Sequence, residues 1–216
     1  MPDFTLVMGN RSSSSWSLRG WLALKCAGVE FDEIMVWFKR PETKAEILAH
    51  SPSGFVPVLK HSGGLIWESL AIAEYMADLC PAAGLWPEDI EARAHGRAIS
   101  TEMHAGFSRL RNHMPMDLQN DRPGEGMADG VDRDIKRICE IWQETRDRFG
   151  AGGSFLMGGF TIADIMYAPV VTRFKTYGVD LGPVCQAYAD TVLDHPLVRE
   201  WIEAAQAEPP LGEVPS

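Results

Sequence analysis

The sequence is short of the features that would place it in several large functional classes. Its 216 residues hold only four cysteines, Cys26, Cys80, Cys139 and Cys185. They form no CxxC pair and stand at no Cys/His spacing suited to zinc, so neither a redox dithiol nor a metal site is expected. Each has an apolar neighbour, as buried thiols of a reducing compartment do. No apolar run approaches the ~20 residues of a membrane helix. The opening "MPDFTLVMGN" has no basic segment ahead of a long apolar one, so a cytoplasmic protein is expected. Positive charge is also scarce. Twenty Lys and Arg face 30 Asp and Glu, for a net charge of −10, which argues against nucleic acid and anionic membranes as partners.

What is present suits a soluble globular chain. Hydrophobic residues make up 45% of the sequence, and seven Trp and nine Phe can fill a sizeable core. Phe4 to Met8 reads as a strand and residues 16–27 as a helix stopped by Gly28. Residues 31–37 read as a second strand and "PETKAEILAH" as a short helix with proline in its first turn. "GFVPVLKHSGGLIW" reads as two strands about a Gly-Gly turn, and "ESLAIAEYMADLC" as a helix halted before Pro81. Strand and helix alternate over these eighty residues, the mark of a mixed sheet with helices on both faces. After "PAAGLWPED" no strand is expected. Residues 88–116 are helix-compatible throughout, with Met103, Phe107, Leu110 and Met114 on one stripe. A second stripe on 131–149 runs through Val131, Ile135, Ile138, Trp142, Thr145 and Phe149. Residues 161–177, 183–193 and 196–207 read as three further helices. The expected division is an α/β domain over 1–80, a linker over 81–87 and an all-helical domain over 88–216.

Four short motifs carry chemistry. In "GFVPVL", Pro57 interrupts a strand; a cis bond there would leave the N–H and C=O of Val56 free to pair with an extended peptide, although an edge-strand proline is the plainer reading. In "WESLAIAEY", Ser69 stands where a helix begins, either as its cap or as part of a carboxylate site. In "GGFTIADIM", Thr161 and Asp164 form a capping box with Phe160 and Ile165 as its staple, a folding signal. In "RSSSSWSLRG", four hydroxyls crowd the turn before the first helix.

In this order and spacing, the motifs resemble those of the cytosolic glutathione S-transferase family, over nearly the whole chain. The resemblance implies a thioredoxin-like first domain, an all-helical second domain, and glutathione as co-substrate without a metal. It implies that Val56, before Pro57, pairs with the cysteinyl backbone of glutathione, and that Glu68 and Ser69 hold the γ-glutamyl end. It also gives the serines a purpose: in serine-type members one hydroxyl at the start of the first helix stabilises the thiolate. Counting seven back from Arg19 favours Ser12, with Ser13 and Ser14 as alternatives and Ser15 as the helix cap. The turn is most similar to a zeta-like Ser-Ser-Cys-Ser-Trp, with Ser14 in the place of the cysteine, which removes the sulfur expected for maleylacetoacetate-type isomerisation. Phe55 stands where relatives carry Lys, Arg or Gln, so the cation facing glutathione must come from elsewhere, with Arg11, Lys39, Arg40 and His50 as candidates. Met103, His104, Phe107, Arg111, Arg173 and Tyr177 are the candidates for an electrophile pocket on the helical side.

The resemblance implies a homodimeric transferase joining glutathione to a small hydrophobic electrophile. Two other readings stay open: a glutathione-dependent isomerase or dehalogenase on the same scaffold, and a glutathione-binding or regulatory protein without chemistry.

Overall fold

The computed structural model describes residues 3–213; Met1, Pro2 and the last three residues of the expected helical domain lie outside it. Strand β1 (Phe4–Gly9) is the centre of a four-stranded sheet of order β2-β1-β3-β4. Leu6, Val7 and Met8 are buried on both faces, so the strand reads as an unbroken apolar run. It pairs in parallel with β2 (Phe31–Val36), Phe4 opposite Phe31 and Gly9 opposite Val36. It pairs antiparallel with β3 (Val58–His61), Val7 opposite Val58. The hairpin from β3 to β4 (Gly64–Ile66) turns on Ser62 and Gly63, whose φ angles are 48° and 78°. The turn is thus one residue earlier than the expected Gly-Gly pair, because two positive φ values in succession suit a two-residue turn and Gly64 is already in the ladder.

Helices α1 (Ser15–Ala27), α2 (Thr43–His50) and α3 (Ser69–Leu79) complete the first unit. Gly28 ends α1 in the left-handed conformation and donates to Lys25 O. A 3-10 turn over Pro81–Ala83 leads to the helical unit, made of α4 (Ile90–Ala105), α5 (Ser108–His113), α6 (Val131–Phe149), α7 (Ile162–Tyr177), α8 (Gly182–Asp194) and α9 (Pro196–Gln206). The architecture is therefore a thioredoxin-like sheet with helices followed by an all-helical unit.

The continuous helix expected over 88–116 is broken. Its stripe of apolar residues continues across the break, but Gly106 ends α4 in an extended conformation and Phe107 takes a left-handed φ of 60°. The orphaned carbonyls at the end of α4 are collected by Arg111, which bonds Gly106 O at 2.9 Å, His104 O at 3.4 Å and Met103 O.

The helical core gathers around Trp142, whose ring meets Tyr167, Phe174 and Tyr188 edge-on at 5.8, 5.7 and 4.8 Å. Helix α1 packs on both units. Its Gly20 lies so close to Pro57 that a Cβ there would come within 3.0 Å of the proline ring, and its buried Arg19 donates to Met166 O of α7 at 2.9 Å. This packing brings the serine turn, Val56 and the helical unit together. Among the described residues no helix is long and apolar enough to cross a membrane.

Candidate functional site

The serine turn sorts its four hydroxyls into used and unused. Ser14, not Ser15, is the N-cap of α1. Its oxygen accepts from Ser17 N at 3.3 Å, and its hydroxyl donates to Ser17 Oγ at 2.7 Å. Ser17 Oγ in turn accepts from Gly9 N at 2.9 Å, which ties the helix start to the end of β1. Ser15 is the first helical residue, and its hydroxyl accepts from Arg173 Nη2 at 3.0 Å. The reason for the change is geometric: Ser14 and not Ser15 has non-helical φ and ψ, as a cap must. The hydroxyls of Ser12 and Ser13 are buried and have no partner among the described residues. Such groups cost ~1–3 kcal/mol each when nothing meets them, so these two are the ones available to a ligand.

Ser13, Ser14 and Ser15 line a cleft of about 310 Å³ with Val56, Phe55, Trp16, Arg111 and Arg173. Val56 stands two residues before β3, next to a cis Pro57, and its main-chain N–H and C=O make no hydrogen bond among the described residues. Ser12, favoured by the count from Arg19, opens instead into a neighbouring cavity of about 870 Å³ shared with Ser13, Lys39, Tyr177 and Glu208. Ser13 alone of the four touches both.

At the start of α3, Glu68 takes the N-cap position without a side-chain cap bond, and Ser69 is the first helical residue rather than the cap. The Ser69 hydroxyl is fully buried and without a partner among the described residues. Glu68 is half exposed and faces His104 Nε2 at 3.9 Å. Burial holds the His104 imidazole below its ordinary pKa; Glu68 pulls it up, and Arg19 and Arg111 push it down.

Arg111 and Arg173 line the helical side of the cleft, and Arg19 of α1 is buried near them without lining it. Arg19 is fully buried, Arg173 is 4% exposed and Arg111 is partly buried. The hydrogen bonds that these three donate go to main-chain carbonyls or to the Ser15 hydroxyl, none to a carboxylate among the described residues. Arg19 Nη2, Arg111 Nη1 and Arg173 Nε are buried without partners there. Burial lowers all three pKa values, Arg173 to about 9, and the guanidiniums of Arg19 and Arg173 are lowered further by Arg111. Trp16 lies between Arg19 at 4.7 Å and Arg111 at 4.5 Å. No Asp or Glu is among the described residues lining this cleft, in a chain with 30 of them. Asp134 is the carboxylate that raises the Arg111 pKa from outside the cleft lining, and an anion in the cleft would offset the remaining positive charge. The sequence offers Arg111 and Arg173 as separate candidates but not their clustering with Arg19, because the three residues meet only through packing.

Other candidates stand elsewhere. Met103 is fully buried and Phe107 is 8% exposed, both packed in the core, so neither can line an acceptor pocket. Tyr177 is largely consumed by packing, its hydroxyl donating to Pro115 O at 3.1 Å. Arg11 pairs with Glu33, and Arg40 with Glu46 at 3.0 Å, so these two are already neutralised. Lys39 is exposed beside the larger cavity. His50 Nδ1 accepts from Lys60 Nζ at 2.9 Å, and Lys60 is a cation that belongs to none of the sequence motifs. Among the described residues no group of side chains is arranged to hold a metal ion.

Comparison with known proteins agrees with this fold. The family model for the glutathione S-transferase N-terminal domain matches residues 13–79, and that for the C-terminal domain matches residues 93–204. A probable maleylacetoacetate isomerase from Caenorhabditis elegans is 30% identical over 177 residues, which is 80% of this chain and 79% of the relative. The maleylacetoacetate isomerase of Rattus norvegicus is 30% identical over 179 residues, with the same coverage. A glutathione transferase homologue from Burkholderia, solved with bound glutathione, superposes with a TM-score of 0.72 at 22% identity, covering 95% of this chain and 99% of its own. A diazinon-metabolizing glutathione S-transferase of Bombyx mori does so at 0.73 and 19%, covering 94% and 96%.

Proposed function

The chain belongs to the glutathione S-transferase family, and from that membership we propose that it joins the thiolate of glutathione to an electrophilic carbon. The observation that carries the reading is a set of unmet groups in the first unit: the Ser13 hydroxyl and the main-chain edge at Val56 in one cleft, with the buried hydroxyls of Ser12 and Ser69 unpartnered among the described residues. They match the sulfur, the cysteinyl backbone and the γ-glutamyl carboxylate of one extended tripeptide. A free thiol near pKa ~8.5 is mostly protonated at neutral pH. A hydroxyl donor and the cations across the cleft favour its ionised form. Of the two free serines, Ser13 is assigned the sulfur because it shares the cleft with Val56. In the reaction the C–S bond forms, the leaving group departs with its bonding pair, and the thiol proton passes to solvent.

The hydrophobic acceptor expected from sequence gains a second feature. Phe38, Phe55 and Met116 supply an apolar wall, and Arg111 and Arg173 a cationic one. We assign to this pocket an electrophile with an apolar body and an anionic group. A second reading, glutathione-dependent isomerisation, is favoured by the two isomerase relatives; there the thiolate adds and leaves again, so glutathione is not consumed. We further propose a cytoplasmic protein and a symmetric dimer, the dimer supported by the exposed Leu65, Trp67, Leu79 and Ile90 on or beside β4, α3 and α4; sedimentation tests it. Calorimetry with glutathione tests the reading as a whole. Saturable binding is expected, and none at millimolar ligand would end it.

A further inference from the structure

The carboxylate of Glu208 grips the serine turn from the far end of the chain. Its Oε1 accepts from Arg11 N at 2.7 Å, and its Oε2 accepts from Ser12 N at 3.0 Å. Both oxygens are therefore used, on consecutive amides directly ahead of the free hydroxyls of Ser12 and Ser13. The residue stands just past α9 and is itself held: its main-chain oxygen accepts from Gln119 Nε2 at 2.8 Å. Around it, Trp201 Nε1 donates to Arg11 O at 3.0 Å, and Leu118 N donates to Ser12 O at 3.0 Å. Of these hydrogen bonds to the main chain of residues 11 and 12, the charged ones are those of Glu208. In the sequence Glu208 lies one residue beyond the last expected helix and belongs to no motif, so nothing local marks it.

We propose that Glu208 is a positioning residue for the thiol site: it orients the turn so that the Ser13 hydroxyl, next in the chain to the gripped Ser12 amide, faces the sulfur of bound glutathione. The inference rests on the transferase reading above. It reaches the sulfur only through the serines, since the carboxylate is occupied by the two amides. Two effects of removing it have opposite signs, which makes the role testable. Loss of a nearby negative charge favours a thiolate and lowers its pKa. Loss of the oriented hydroxyl disfavours the thiolate and raises it.

The experiment is a pH titration of thiolate absorbance for glutathione bound to the wild type, Glu208→Ala and Glu208→Gln, with calorimetry of glutathione on each. In Glu208→Ala the midpoint should rise by about one pH unit, a tenfold loss of thiolate at a pH below it. Glu208→Gln keeps the shape and one acceptor oxygen and should return the midpoint most of the way. A midpoint in Glu208→Ala that is unchanged or lower overturns the inference, as does a fall in melting temperature with the midpoint unmoved. If Glu208→Ala fails to fold, Gln119→Ala loosens the same segment and should raise the midpoint by a smaller step; no rise there overturns the inference equally. These results leave the transferase reading standing, because glutathione still binds. Failure of the wild type to bind glutathione ends that reading and this one with it.

Discussion

The starts of α1 and α7 are built from the same kind of residue, and the fold treats them in opposite ways. At α7, the buried carboxylate of Asp164 accepts from Thr161 N at 2.8 Å, Thr161 Oγ1 at 3.2 Å, Leu156 N at 3.0 Å and Tyr188 OH at 3.1 Å. The carboxylate and its donors are matched inside the protein. At α1, Ser14 and Ser17 close a similar cap, but Ser12 and Ser13 are left over, buried and unmet among the described residues. Capping residues by themselves therefore separate nothing. What separates a folding device from a site is the polar group that remains once the cap is complete.

The contrast fails first, and most visibly, if Asp164 proves dispensable. Asp164→Ala strands four buried donors, from the 150s loop, the helix start and α8, and should cost ~3–5 kcal/mol of stability, more than a simple cap. Urea unfolding measures it. Turnover per folded molecule should persist, and its loss with stability unchanged would make α7's start a site.

The reverse is expected at α1. Ser12→Ala/Ser13→Ala removes hydroxyls with no partner among the described residues, so unfolding should change by less than ~1 kcal/mol. The bound thiol should instead move towards the ~8.5 of a free one, a rise of roughly 1.5–2 units or ~2–3 kcal/mol. Of the single variants, Ser13→Ala should carry more of the rise. Ser14→Ala is the control: it should cost ~1 kcal/mol of stability and leave the thiol alone. A larger thiol shift in Ser14→Ala than in the double variant would reverse the sorting of the four hydroxyls.

Ser69 sharpens the same point at a third helix start. It is buried without a partner among the described residues, so Ser69→Ala should raise the glutathione KM by a factor equivalent to ~1.5–2 kcal/mol, with no loss of unliganded stability. A KM that stays put would make Ser69 a packing residue.

These differences show what a sequence can disclose. The capping box at Thr161 and Asp164 is local, and its three-residue spacing is readable, as are α1, β2 and the α6 stripe. The further donors to Asp164 are not, since Leu156 and Tyr188 arrive from other elements. The break at Gly106 is hidden because the apolar spacing runs on through it. The cap of α1 is hidden because four identical serines offer no contrast, and only φ and ψ choose among them. Arg111 and Arg173 are legible as candidates by position, but that neither hydrogen-bonds a carboxylate among the described residues is a property of packing. The same holds for the grip of Glu208 on the serine turn.

The smallest expected effect separates burial from hydrogen bonding at α7. Burial pushes the Asp164 carboxyl up to about 6 from an ordinary 3.8, while its four donors pull the other way without cancelling the rise. A carboxyl whose pKa is raised by folding is more readily protonated in the native state than in the open chain. Its contribution to stability is therefore whole below about pH 4 and is lost as the pH climbs through about 6. Asp164→Asn does not titrate at this position, and His95, His104 and His195, whose pKa values burial lowers, are common to both proteins. Subtracting the two unfolding free energies thus isolates Asp164. The wild type's margin over Asp164→Asn should shrink by ~1.4 kcal/mol between about pH 5 and pH 7, one unit of differential protonation. A margin that stays flat over this interval and falls only as the pH drops below about 4 would mean that the four donors outweigh burial, and that the carboxylate is held ionised at the helix start.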